Sequence, residues 1–426
     1  MQKKTSILCS GVLCVSLLVG ATGVYGNIVF PENLQKKDIA VTTATYGVKD
    51  WKDSKGNIDY PVTEDSKEWN DFKSHDEMVA ACNVPEKLIK KMSTEELVDL
   101  MMDYPLLGDL RMYDDLNIGF QCLAKNSNVL SEILKREDGP KALLAAYTDL
   151  ELVKENAKTE EIMNEVKDDV SVVVELAEDK EYADTVEEIA DSVYEDTFLE
   201  VALSQEKVID DLDSEELEVL SEEASEKVLD KAISDIYSSC TTIIYDNADS
   251  NDCLDKFDYV VDVEEVPNTE NTVKGNANYT YVKTPKGSKV RVEIFSYYGL
   301  DAAIADYGYV RSKYPRAEIV SAATNQYNCH SYAWYKQSTS NTYWMNDPTK
   351  YMTDGSYKSI NTPTKKGQKV CWKQFPLLNP NVHSGVVESV SGNTIKIKSK
   401  WGSCPLVIHN VNYSPYSGTP FYYKKK

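Results

Sequence analysis

The sequence predicts an α+β protein in which an acidic helical N-terminal region precedes a region of antiparallel strands with a cysteine-bearing helix. Three observations carry this. Apolar residues recur at helical spacing from about residue 64 to 239, with end-capping residues between the runs. After about residue 260, Val, Ile, Thr and Tyr gather in short stretches separated by turn residues, which is strand chemistry. The charge also reverses: from residue 271 onward there are 21 Lys and Arg against 7 Asp and Glu, or +14, whereas the first 270 residues hold 25 against 62, or −37.

At 426 residues and 42% hydrophobic content the chain has room for more than one core. Residues 1–26 place Lys3 and Lys4 before an apolar stretch ending in small residues, the order of an export signal with cleavage expected near Gly26. An uncleaved membrane anchor is the alternative. No later segment is apolar enough to cross a bilayer, so the protein is expected to be secreted and free of the membrane once the signal is removed. Residues 27–63 lack a sustained period and read as a leader.

Residues 64–245 read as an acidic helical domain. Ser93 and Glu96 form a capping-box pattern, Leu97 and Met101 continue at helical spacing, and Pro105 closes the segment. Gly139 and Pro140 separate two further helices. Leu217, Leu220, Ala224, Val228, Ala232 and Ile236 then make one apolar stripe, which packing alone explains. The acidic segment 246–258 lacks the turn glycine and terminal bidentate Glu of a calcium loop, so residues 246–265 read as a linker.

In residues 266–426, strands are expected at YTYVKT, KVRVEIF, HSGVVESV, NTIKIKSKW and PLVIHNV, with a helix from Leu300 to about Tyr314. Three of the four histidines, His330, His383 and His409, fall near Cys329 in the last hundred residues. A thiol is a nucleophile only as thiolate, which a helix start and a neighbouring imidazolium favour. In TNQYNCHSYAWYK a helix is expected at about Cys329, capped by Asn328. His383 opens a strand anchored by Val386 and Val387, and the two groups are expected within hydrogen-bonding reach. His330 is expected to point away from Cys329. A zinc site built from Cys329, His383 and His409 lacks the paired spacings typical of that metal, so no metal or other cofactor is expected. Of the remaining cysteines, Cys82 with Cys122, Cys240 with Cys253, and Cys371 with Cys404 are the sequence-nearest pairs for disulfides in an oxidising compartment.

These residues resemble the CHAP amidases and peptidases, with their NlpC-type relatives, in the papain-like superfamily. Cys329-His330-Ser331-Tyr332-Ala333 is similar to the family's nucleophile signature, and His383-Ser384-Gly385-Val386-Val387-Glu388-Ser389 to its histidine strand. Gly367-Gln368-Lys369-Val370 resembles the turn and strand before that histidine. The resemblance spans residues 310–415 and implies a papain-like domain with Cys329 as nucleophile and His383 as base. It departs in two places. Asn328 stands where the family has Gln or Asp, leaving Asn328 or Gln326 as oxyanion donor. The orienting position falls near Ser399, with His409 as the preferred substitute.

The implied activity is a secreted, cell-wall-associated cysteine amidase or endopeptidase acting on peptidoglycan peptides. The alternatives are a non-catalytic wall-binding protein on the same fold and a secreted protease acting on proteins. The acidic balance argues against a nucleic-acid partner. The opposed charges allow the helical region to dock on the basic one as a latent cap.

Overall fold

The computed structural model describes residues 45–52, 56–150, 180–221, 223–224, 279–295, 300–373, 381–416 and 418–426. The export signal, the segment 246–265, Cys240 and Cys253 lie outside these residues. Among the described residues, contacts divide the chain into two units: residues 45–212 with Tyr279–Lys426, and the short stretch 213–224 by itself. In the latter, residues 214–221 are helical, Leu220 and Ala224 are buried and Leu217 is half-buried, as the stripe predicts. Val228, Ala232 and Ile236 lie outside the described residues.

The larger unit starts as short helices: α1 (His75–Cys82), α2 (Glu86–Ile89) and α3 (Thr94–Met102). The capping box of Ser93 and Glu96 is formed, each side chain satisfying the other's backbone N–H. A 3-10 turn at Leu107–Met112 leads to α4 (Leu116–Asn126), where Asp115 accepts from the Asn117 and Ile118 backbones. Then follow α5 (Asn128–Ile133), α6 (Gly139–Asp149), α7 (Lys180–Leu203) and α8 (Glu206–Asp210). Gly139 and Pro140 open α6, and proline suits that first turn because the N–H it lacks has no partner there.

Strands β1 (Tyr279–Lys283) and β2 (Lys289–Glu293) pair as an antiparallel hairpin. After α9 (Leu300–Lys313), a seven-stranded sheet has the order β3-β8-β7-β6-β5-β9-β4, with every pair antiparallel. Its strands are β3 (Glu318–Ser321), β4 (Tyr357–Ile360), β5 (Lys369–Lys373), β6 (Asn381–Ser391), β7 (Thr394–Lys400), β8 (Leu406–Asn410) and β9 (Thr419–Lys425). All five expected strands and the expected helix are present. The short polar β3 and β4, and β9 with its Pro420 and terminal lysines, carry no alternation that announces them.

The sequence predicts a helical domain separate from the strand-rich one; instead, residues up to Leu212 share a unit with Tyr279–Lys426. Directional bonds across the junction account for this. Trp69 donates to the Lys313 carbonyl at 2.9 Å and Tyr113 to the Pro415 carbonyl at 2.9 Å. Arg111 pairs with the fully buried Asp306 at 2.9 Å. Tyr309 and Tyr314 both donate to Asp109, at 3.0 and 2.5 Å. Gly402, at φ +51°, permits a close approach, since a Cβ there would stand 2.7 Å from the Met112 carbonyl oxygen.

Candidate active site: a buried thiol and an unsatisfied imidazole

Cys329 begins a helical turn that continues through Ser331–Tyr335 with a wide i→i+5 bond, Lys336 N–H to the Ser331 carbonyl at 3.1 Å. Asn328 caps it as expected, its Oδ1 accepting from Ser331 N–H at 3.0 Å. The turn packs on β6. His330 Nε2 donates to the Asn381 carbonyl at 3.0 Å, so in the neutral ring Nδ1 accepts from Ser384 Oγ at 2.8 Å. His330 thus faces the sheet, one residue from the thiol.

The cysteine is closed off. It is 1% exposed, and its thiol donates to Asp114 Oδ2 at 3.5 Å. Burial, then the Asp114 charge, pushes its pKa well up, against a lowering by the Ser384 backbone N–H. Burial also raises the Asp114 carboxyl to about 7, although Cys329 and Asn328 hydrogen-bond to it. Asp114 comes from the loop between the 3-10 turn and α4, so the helical region supplies the group that covers the sulfur.

His383 lies on β6 at 0% exposure, followed by the buried Val386 and Val387. Its ring stacks on Tyr416 with centroids 3.5 Å apart and touches Trp372 at 5.0 Å. Tyr416 in turn donates to the Met112 carbonyl at 2.5 Å, which ties this cover to the helical region. Neither His383 nitrogen has a hydrogen-bond partner among the described residues, so the expected thiol–imidazole bond is not made. Burial, then the neighbouring His409 and His330, pushes its pKa well down. A buried polar group left without a partner costs about 1–3 kcal/mol.

The remaining expectations need correction. Asn328 donates to Asp114 Oδ2 and the Met345 carbonyl, both at 2.8 Å, and accepts from Ser331 and Met345 N–H. Its amide is fully used and offers nothing to an oxyanion. Gln326 holds only long bonds, to the Phe295 carbonyl at 3.3 Å and Asn325 Oδ1 at 3.4 Å. Ser399 and His409 bond to each other at 2.9 Å across β7 and β8. His409 Nδ1 donates to the Asn410 carbonyl at 2.8 Å, so Nε2 accepts from Ser399, which also receives Trp401 Nε1 at 3.1 Å. Both His409 nitrogens are engaged, and neither residue orients His383. Cys82, Cys122, Cys329, Cys371 and Cys404 are buried thiols outside any disulfide, so the Cys82–Cys122 and Cys371–Cys404 pairings are not formed.

Sequence reasoning missed Asp114 and Tyr416. The Asp114-Asp115 pair reads as a helix start, a role that Asp115 fills. A second buried group lies nearby: Lys400 Nζ shares its three N–H donors among the carbonyls of Thr324, Gly402, Ser403 and Cys404, and burial lowers its pKa to about 8. Among the described residues no helix is long and apolar enough to cross a membrane. No family model, curated protein or solved structure matches the chain.

Proposed function

We propose that the chain is a secreted papain-like cysteine hydrolase, an amidase or endopeptidase of peptidoglycan peptides, held with its nucleophile covered. The observation that carries this reading is His383, an imidazole wholly buried with neither nitrogen partnered among the described residues, one residue before Ser384, whose backbone N–H acts on the Cys329 thiol to lower its pKa. Stability alone disfavours such a group; a proton carrier that exchanges partners during a reaction needs it.

Once the Asp114 and Tyr416 cover opens, the Cys329 thiol passes its proton to His383. The sulfur attacks the amide carbon, and the carbonyl oxygen takes the negative charge, facing the Cys329 backbone N–H and the Gln326 amide. Collapse breaks the C–N bond as the imidazolium protonates the leaving amine, leaving a thioester. Water, deprotonated by His383, hydrolyses it and restores the thiol. No cofactor enters this cycle. The exposed face of the β1–β2 hairpin, with Tyr279, Tyr281, Lys289 and Arg291 and the Arg291 guanidinium 4.6 Å from the Tyr279 ring, suits a sugar-bearing anionic wall.

The upward-shifted thiol favours a second reading, a non-catalytic wall-binding protein on the same fold. Zymograms on purified cell walls separate the two. Hydrolysis by the wild type that Cys329→Ala abolishes supports the enzyme, and activity surviving in Cys329→Ala removes Cys329 from the chemistry.

A further inference from the structure

Three metal-binding atoms from two distant parts of the chain converge beside the covered sulfur. Asp114 Oδ2, Cys329 Sγ and His330 Nε2 all lie within 4.8 Å of one another. Asp114 Oδ2 is 3.5 Å from the sulfur and 3.8 Å from His330 Nε2. Oxygen and sulfur ligands at about 2.0 and 2.3 Å from one tetrahedral ion stand about 3.5 Å apart, so small side-chain shifts centre an ion among these atoms. We propose that Asp114, Cys329 and His330 form a binding site for one divalent transition-metal ion of the zinc type.

The donor set selects the metal. One thiolate, one imidazole and one carboxylate suit zinc, whereas magnesium and calcium take oxygen ligands alone. The surroundings fit as well. Asp114 Oδ1 is buried with no partner among the described residues, and Oδ2 is steadied by Asn328 Nδ2 at 2.8 Å. Ligation frees His330 Nε2 from the Asn381 carbonyl at the cost of one hydrogen bond. The ring proton then sits on Nδ1 and is donated to Ser384 Oγ, 2.8 Å away, the kind of outer partner that fixes a metal-bound histidine. Because Asp114 belongs to the helical region, the ion pins that region onto the thiol. The binding claim stands apart from the hydrolase reading, since its test needs no activity.

The test is cobalt titration of the full chain stripped with EDTA, followed by absorption and by metal analysis after dialysis. We expect one cobalt per chain, a near-ultraviolet thiolate-to-cobalt band with strong visible bands of tetrahedral cobalt, and displacement by one equivalent of zinc. Cys329→Ser should abolish the thiolate band, and Asp114→Asn should weaken binding by about tenfold or more. Cys404→Ser alters an equally buried thiol outside the trio and should keep the band. Absence of the band in the wild type, its persistence in Cys329→Ser, its loss in Cys404→Ser, or unchanged affinity in Asp114→Asn overturns the assignment.

Discussion

Replacing Asp114 by Asn removes a buried carboxyl while keeping an oxygen that accepts from Asn328 and Cys329. The carboxyl is held at about 7 in the folded chain against an ordinary value of 3.8. Between those values the native state binds a proton that the unfolded chain has released, so this group destabilises the fold progressively as pH rises from 3.8 towards 7. A displacement of about three pH units corresponds to roughly 4 kcal/mol. His330 and His409 act in the opposite sense: burial lowers both from 6.5 to about 4, so their contribution is lost as pH falls through that window. Wild type alone therefore shows a mixed profile, and the difference between variant and wild type isolates Asp114. Urea unfolding of EDTA-treated protein at pH 4, 5.5 and 7.5 should show Asp114→Asn gaining roughly 4 kcal/mol relative to wild type from the lowest pH to the highest. A pH-independent difference would refute the burial of this carboxyl against the thiol.

Arg111→Ala leaves the fully buried Asp306 without its guanidinium and should cost about 3–5 kcal/mol, read as a fall in the urea midpoint. Ser399→Ala strips partners from His409 Nε2 and Trp401 Nε1 and should cost about 1–3 kcal/mol without abolishing the proposed wall hydrolysis, because neither Ser399 nor His409 hydrogen-bonds to His383. Gly402→Ala pushes a Cβ against the Met112 and Arg111 carbonyls at positive φ, and should lower Tm by loosening the helical region from the sheet.

Periodicity made most of the fold legible. The strands around Val386, Ile397 and Val407 announce themselves through β-branched residues with turns between them, and the Ser93 cap through a rule that needs only four residues. The helix start at Cys329 follows from Asn328 for the same local reason. What the sequence did not disclose is non-local. Asp114 lies 215 positions from Cys329, and its neighbour Asp115 accounts for the local pattern by itself. Net charge suggested docking of the two regions, and the junction combines the Arg111–Asp306 and Lys313–Glu64 ion pairs with tyrosine and tryptophan donors given to carbonyls and to Asp109, whose pairing net charge does not reveal. Ser399 and His409 satisfy each other, which residue type alone does not reveal.

On the proposed mechanism, Cys329 and His383 form a working thiol–imidazole pair once the cover is released. Site-resolved alkylation of Cys329 by iodoacetamide, followed by mass spectrometry across pH, tests it in Asp114→Ala protein with and without His383→Ala. With His383 present, labelling should persist below about pH 6; without it, the profile should move towards the value of about 8.5 typical of an isolated thiol. Identical profiles in the two proteins, both midway near that isolated-thiol value, would contradict the pairing.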